Sequence, residues 1–190
     1  MENELKLELY EEKLKNISPD KLIFIDECGV NLNLSPLYGR SATNERCYDE
    51  KPIGRGKRIS MVGGLSLSGM EAAFTFEGTM DEHIFLHFLE HHLYPTLKEG
   101  DYIIMDNASV HHSIEVRVFL EDHGINFLYL PPYMPELNPI ELVWNKMKIL
   151  IKKIRARTID TLYDAYENAL NQITDDNVKK FFKHAFEFSI

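Results

Sequence analysis

The chain has 190 residues, 44% of them hydrophobic and 27% charged, with a formal net charge of −9. That composition excludes a largely disordered chain and a generic nucleic-acid coat protein, and no run approaches the ~18 apolar residues of a membrane span. Two cysteines, Cys28 and Cys47, are too few for a disulfide framework or a four-cysteine zinc site, so a reducing cytoplasm is the expected location.

From the N-terminus, Leu7, Tyr10, Leu14 and Ile17 fall at helical spacing, which predicts an amphipathic helix over 4–17 stopped by Ser18-Pro19-Asp20. Leu22-Ile23-Phe24-Ile25 is wholly apolar and closes on Asp26, the pattern of a strand buried on both faces. Residues 28–57 carry Pro36, Gly39, Pro52, Gly54 and Gly56 and read as a long functional loop. Strands at 59–67 and 70–77, joined by Ser68-Gly69, predict a hairpin. Thr79 with Glu82 resembles a capping box that opens a helix to about 97. A second apolar strand, Tyr102-Ile103-Ile104-Met105, closes on Asp106. A helix over 113–123 ends at Gly124, and 127–130 is a third buried strand. Beyond the stiff loop Pro131-Pro132-Tyr133-Met134-Pro135, Asn138 is an N-cap, Pro139 sits at N1 and Glu141 at N3 of a helix to about 154. Helices over 159–172 and 175–186, capped by Thr158 and Thr174, finish an α/β architecture with a mixed sheet. No glycine-rich phosphate loop marks a doubly wound nucleotide fold.

Two strand-ending carboxylates and one helix-opening carboxylate carry the chemistry. If the strands of Asp26 and Asp106 are parallel neighbours, both side chains emerge at one carboxyl edge, and a helix across that edge brings Glu141 to the same point. At ~4 Å and an effective dielectric near ~20, each pair repels by roughly 4 kcal/mol, so one group takes up a proton or cations neutralise the cluster. All-oxygen ligation favours Mg²⁺ or Mn²⁺ over zinc. Taken singly, Asp26 also reads as a strand-end turn residue, Asp106-Asn107 as an Asx turn, and Glu141 as a capping residue. Their joint placement is the informative signal.

The strings FIDECG, GRGKRISMVGGLSL, FEGTMD, YIIMDNASVHHS and LPPYMPELNPIELVWNKMK resemble the catalytic domain of bacterial insertion-sequence transposases, in the mariner-like branch of the Asp-Asp-Glu transposase superfamily. The similarity spans roughly 18–186, and the thirty-four residues between Asp106 and Glu141 match that branch. The resemblance implies a ribonuclease H-like fold, a five-stranded mixed sheet flanked by helices, over 18–190 behind a helix or linker at 1–17. It implies that Asp26, Asp106 and Glu141 are catalytic and hold two Mg²⁺ or Mn²⁺ ions, Asp26 bridging both. Water would attack a transposon end, and the freed 3′-hydroxyl would then attack target DNA. DNA and a second copy of the chain in a homodimer are the implied partners. Relatives usually carry an N-terminal helix-turn-helix region; here Met1 stands just before the catalytic domain. The chain therefore reads as a downstream reading frame, a truncated copy or a fragment, and a separately encoded helix-turn-helix half is a candidate partner. Cys28 stands where relatives commonly have Ser, and His112 where Lys is frequent. Two rival readings are a non-catalytic assembly partner or inhibitor of a full-length transposase, and a general nuclease of the same fold.

Supporting residues follow from local pattern. In the helix after Asn138, Ile140, Val143, Met147, Leu150 and Ile154 form a core stripe, and Glu141, Asn145, Lys148 and Lys152 a polar one. Lys146, Lys148, Lys152, Lys153, Arg155 and Arg157 put six positive charges in twelve residues. In an acidic protein, such a strip suits DNA-phosphate contact through Lys148 and Lys152; the alternative is a solvated face. Lys51, Arg55, Lys57 and Arg58, interleaved with glycines, form a second basic cluster that suits DNA contact; the alternative is an ordinary solvated loop. His111 is placed to donate a proton or touch phosphate, while Asn107 and Asn138 shape the site. Trp144 packs, and Tyr133 packs or stacks on a base. His83, His87 and His91 recur every four residues without cysteine or carboxylate partners, which reads as a solvent-facing row rather than zinc ligands.

Overall fold

The apolar run at Leu22 becomes the centre of a five-stranded sheet. In the computed structural model, which describes residues 2–48, 50 and 54–187, β1 (Leu22–Asn31) is the middle strand. On one side it pairs antiparallel with β2 (Arg58–Ser66), which turns back into β3 (Gly69–Glu77). On the other it pairs parallel with β4 (Tyr102–Met105), itself parallel to β5 (Asn126–Tyr129). The order β3-β2-β1-β4-β5 is the expected mixed sheet.

β1 runs further than its apolar stretch predicts. Its parallel ladder covers only Leu22–Phe24 against Tyr102–Ile104, but the antiparallel ladder with β2 continues from Phe24 to Asn31. Asp26 is therefore not a strand end. It stands mid-strand opposite Gly63, just past the point where β4 leaves the ladder. β2 continues to satisfy the backbone groups on one side of β1, so the strand persists after its apolar stretch ends. The irregular segment expected from 28 accordingly begins only after Asn31.

Alternation along the strands sorts two cores. Leu22, Phe24, Cys28, Val30 and Ile104 pack with α1 (Glu2–Leu14), α4 (Pro139–Ile154), α5 (Ile159–Leu170) and α6 (Asp175–Glu187). Ile23, Ile25, Ile103 and Met105 pack with α2 (Glu82–Phe88) and α3 (Ile114–Asp122). By the same parity, Asp26 and Asp106 belong to the face that α4 covers. Tyr166 of α5 pins that layer down, its hydroxyl donating to the carbonyls of Ile59 at 2.9 Å and Cys28 at 3.3 Å.

Two local expectations shift. The cap of α2 is Asp81, accepting from the amide of Ile84 at 2.9 Å, not Thr79. The carboxylate is the better acceptor at this position. Beyond Phe88 the helix passes through a π turn at Leu89–Leu93 and a 3₁₀ turn at Tyr94–Thr96, where Pro95 lacks the amide that a continuing α-helix needs. In α4 the core stripe runs Ile140, Val143, Met147 and then Ile151, with Trp144 beside it; Ile154 is 46% exposed. Among the described residues no helix is long and apolar enough to cross a membrane.

Candidate active site

Asp26 in mid-β1, Asp106 immediately after β4 and Glu141 in the first turn of α4 line one open pocket of about 430 Å³. Asn107, Asn138 and the proline loop 131–135 complete its wall. The sheet face fixed by strand parity and the helix laid across it bring together three residues separated by up to 115 positions of chain (26 to 141).

The two aspartates sit in opposite environments. Burial pushes the Asp26 carboxyl up to about 8, with further contributions from the charges of Glu141 and Asp106; the Glu27 amide and the Trp144 indole oppose the shift. Trp144 is fully buried and donates its ring N–H to Asp26 Oδ2 at 3.1 Å. It reaches the carboxylate because Gly63, opposite Asp26, has no side chain. A Cβ there would stand 3.0 Å from the indole ring. The helical pattern around Trp144 predicts packing alone. The signal for its second role is the bare Gly63-Gly64 pair inside a strand, where a neighbour approaches the backbone closely.

Asp106 is instead held below the usual carboxylate range, first by His111 and then by the Ala108 amide, against the effect of burial. His111 Nδ1 lies 2.8 Å from its Oδ1, and the Ala108 N–H donates to the same oxygen at 2.9 Å. The expected Asx turn is thus present and is part of the site. His111 is buried, its ring 4.5 Å from that of Phe85. It does not line the main pocket but an adjoining one with Asp26, Arg58 and Met80. A carboxyl that holds its proton beside one that gives it up readily is the arrangement that separates roles within a site.

Asn107 donates to the Leu130 carbonyl at 2.5 Å, tying the end of β4 to the end of β5. Asn138 occupies the N-cap position of α4 but makes no side-chain cap bond; its buried Oδ1 has no partner. Tyr133, on the lip, has a left-handed φ of 62° and is 94% exposed. A bulky residue in that backbone region is uncommon, and here it turns an aromatic ring outward beside the carboxylates.

The predicted basic strip divides. Lys148 and Lys152 line a groove of about 450 Å³ with Asn31, Asn33 and Asn145, further along α4 from Glu141. Lys146 instead bonds the Gln172 carbonyl at 3.1 Å and the Asn177 side chain, and Arg157 bonds Ser35 Oγ and the Glu50 carbonyl, each at 3.2 Å. Those two charges hold elements together. In the second cluster, Arg58 lies over Gly29, pairs with Glu27 at 3.1 Å and donates to Ser60 Oγ at 3.0 Å. Lys57 meets Glu77 at 2.9 Å in a solvent-screened pair, and Arg55 is exposed. Lys51 lies outside the described residues. His83, His87 and His91 are exposed, the His87 ring 5.1 Å from Phe74.

Among the described residues no three His, Cys, Asp or Glu side chains are already gathered closely enough to cage an ion. The donors facing the pocket nevertheless fit a hard cation. They are three carboxylates and the unpartnered Asn138 oxygen, with no thiolate or imidazole lining it. The raised proton affinity of Asp26 comes first from burial and then from the neighbouring carboxylates Glu141 and Asp106.

Known proteins resemble this chain in sequence and in fold. The chain is 26% identical over 149 residues to the Tcb1 transposable-element transposase of Caenorhabditis briggsae, which is 76% of this chain but 54% of that protein. It spans about half the length of that relative. It superposes on the Mos1 mariner paired-end complex with Mn at a TM-score of 0.82 and 16% identity, covering 98% of this chain and 59% of that one. On the Mos1 transposase catalytic domain with raltegravir and Mg, the TM-score is 0.74 at 16% identity, over 98% of this chain and 89% of that one. The fold is therefore that of the Mos1 catalytic domain, ribonuclease H-like. Residues 21–163, from the start of β1 into α5 and including all three pocket carboxylates, match the family described as DDE superfamily endonuclease, and the chain belongs to that family.

Proposed function

We propose that this chain is the catalytic unit of a DNA transposase, cutting the phosphodiester backbone at transposon ends and joining the freed 3′-hydroxyl to target DNA. Asp26, Asp106 and Glu141 are its catalytic carboxylates. The carrying observation is their convergence on one pocket, felt as the upward push that Glu141 and Asp106 exert on Asp26. The Mos1 complexes with Mn and with Mg support the same class of cation here. Asp26, Asp106 and Glu141 would hold two Mg²⁺ or Mn²⁺ ions, which supply Lewis-acid polarisation of the scissile phosphate and a more acidic attacking water or hydroxyl.

The protein supplies position. Trp144 fixes one oxygen of Asp26, and His111 with the Ala108 amide fixes the rotamer of Asp106 and keeps it ionised. Asn107 braces the two strand ends, and the prolines give the pocket a rigid wall. The catalytic domain is assigned to 18–190, with 1–17 as the helix or linker ahead of it. Two copies acting on two ends, with a separate helix-turn-helix region to read them, complete the working assembly. The paired-end organisation of the Mos1 complex supports this reading. Such an enzyme works in the cytoplasm, on the nucleoid.

The deciding experiment is Mn²⁺-dependent nicking of end-containing and random duplexes by wild type, Asp106→Asn and Glu141→Gln. Wild type is expected to nick and to leave a 3′-hydroxyl that a polymerase extends. Each variant is expected to lose more than about a thousandfold, roughly 4 kcal/mol of transition-state stabilisation. Failure to join a pre-cut end to target DNA would favour the general nuclease, and nicking retained by either variant would remove that residue from the mechanism.

Lys148 and Lys152 are proposed to carry backbone phosphates along their groove. Lys148→Glu with Lys152→Glu is expected to weaken duplex binding more than tenfold at low salt and to flatten the log–log salt slope by about 1.8, for two lost phosphate contacts. An unaltered slope in a binding titration would return both to the solvated face.

A further inference from the structure

The lip of the catalytic pocket carries a strained residue that the fold itself does not use. Pro132 and Tyr133 turn the chain between the buried Pro131 and Met134. Tyr133 takes a left-handed φ of 62°, where a turn that follows proline ordinarily places glycine or asparagine. A β-carbon makes that backbone region unfavourable. The fixed φ of the prolines at 131, 132 and 135 limits how far the loop can relax. Packing does not offset the strain. The side chain is 94% exposed, and among the described residues it faces no other ring and makes no hydrogen bond. A bulky residue held in a sparse backbone region, with no contact in the folded chain to account for it, points to a contact made with a ligand.

The position of the ring says what that ligand is. Tyr133 lines the same pocket as Asp26, Asp106 and Glu141, and among the described residues lining it Tyr133 is the one aromatic. A second protein chain seated on the ring would also shut the carboxylates off from their substrate. A DNA strand whose phosphate lies over those carboxylates instead brings a flanking base to the lip. Every base has a π-face that stacks on an aromatic side chain, which replaces part of the stacking lost when the base leaves the duplex. We propose that Tyr133 stacks on a base next to the scissile phosphate, turned out of the duplex, and so holds that phosphate over the three carboxylates. The proposal rests on the reading of the pocket as a DNA-cutting centre and adds to it the side chain that grips the strand there. The left-handed turn fits this use, because it points the ring away from the proline wall and toward solvent.

A duplex whose short overhang carries 2-aminopurine reports stacking through its fluorescence. With Ca²⁺ in place of Mn²⁺, so that the DNA is held uncut, the full wild-type chain should quench that base several-fold. Tyr133→Ala and Tyr133→Gly should leave it bright, and Tyr133→Phe should rescue the quenching. In Mn²⁺, kcat/KM for nicking should fall about tenfold or more in the Ala and Gly variants and recover in the Phe variant. Stability should not follow activity. The exposed ring leaves Tyr133→Ala melting with wild type, and Tyr133→Gly, relieved of the backbone strain, should melt about 2–4 °C above the Ala variant. Quenching or nicking that survives Tyr133→Ala overturns the stack. So does an Ala variant that changes its elution in gel filtration while still quenching, since the ring would then be covered by a second copy. Nicking by wild type separates the cases: with nicking present, only the stack falls, and without it the cutting centre falls as well and takes the stack with it.

Discussion

Asp26→Asn is expected to abolish Mn²⁺-dependent nicking and, in the same preparation, to raise the melting temperature of the metal-free protein at pH 8. Both effects have one cause. Asp26 is partly buried between two other carboxylates, and its folded-state carboxyl is pushed up to about 8, against about 3.9 in an unfolded chain. A group raised in this way contributes stability that is complete below pH ~4 and is lost as pH rises toward the folded value near 8. Asparagine has no proton to lose, so the variant escapes that decline. The gap between the two melting curves should therefore be absent near pH 4 and open steadily to pH 8. Its ceiling is about 1.4 kcal/mol for each pH unit of that interval, reduced by the solvent that reaches the open pocket. Millimolar Mg²⁺ or Mn²⁺ should close the gap from the wild-type side, because a ligand that binds only the folded state stabilises it, and should leave the variant unmoved. A gap independent of pH, or a variant that still nicks, contradicts the placement of Asp26 at the centre of the cluster.

The carboxylates are legible in the sequence for different reasons. Asp26 and Asp106 each close an apolar run, and Glu141 sits in the capping grammar of Asn138-Pro139, so local pattern finds all three. Local pattern cannot show that β1 continues to Asn31, because the ladder that prolongs it is made with β2, whose paired residues lie 27 or more positions away. Nor can it show that Trp144 bonds Asp26 across 118 positions, or that Lys146 and Arg157 leave the basic strip for Gln172 and Ser35. Periodicity tells which face of an element is buried. It does not tell which polar atom on the neighbouring element waits there. His111 shows the same limit at short range. Its spacing from Asp106 is visible, but the burial that makes it a brace for that carboxylate, rather than an acid in the pocket, depends on Phe85 of another helix.

The glycine pair in β2 gives the most direct test of how the fold makes the site. A Cβ at Gly63 would stand 3.0 Å from both the Trp144 ring and Met70 Sδ, and 3.4 Å from the Ala72 carbonyl. A Cβ at Gly64 would instead press on Leu93 and Ile23, at 2.9 and 3.2 Å, in the core on the opposite face of the sheet. Gly63→Val and Gly64→Val are thus matched insults, each overpacking a dense layer at a cost of about 1–3 kcal/mol. Only the first pushes the indole away from Asp26. Thermal melting should show both variants destabilised by similar amounts, whereas nicking at a temperature where both remain folded should fall at least about a hundredfold in Gly63→Val and only a few-fold in Gly64→Val, the difference being roughly 2 kcal/mol or more of activation energy. Equal activity losses would mean that the indole contributes packing alone. If the losses are unequal as described, Trp144 positions the carboxylate. The requirement for a bare backbone at position 63 then follows from the chemistry at position 26, since no side chain can occupy the space through which the ring reaches its acceptor.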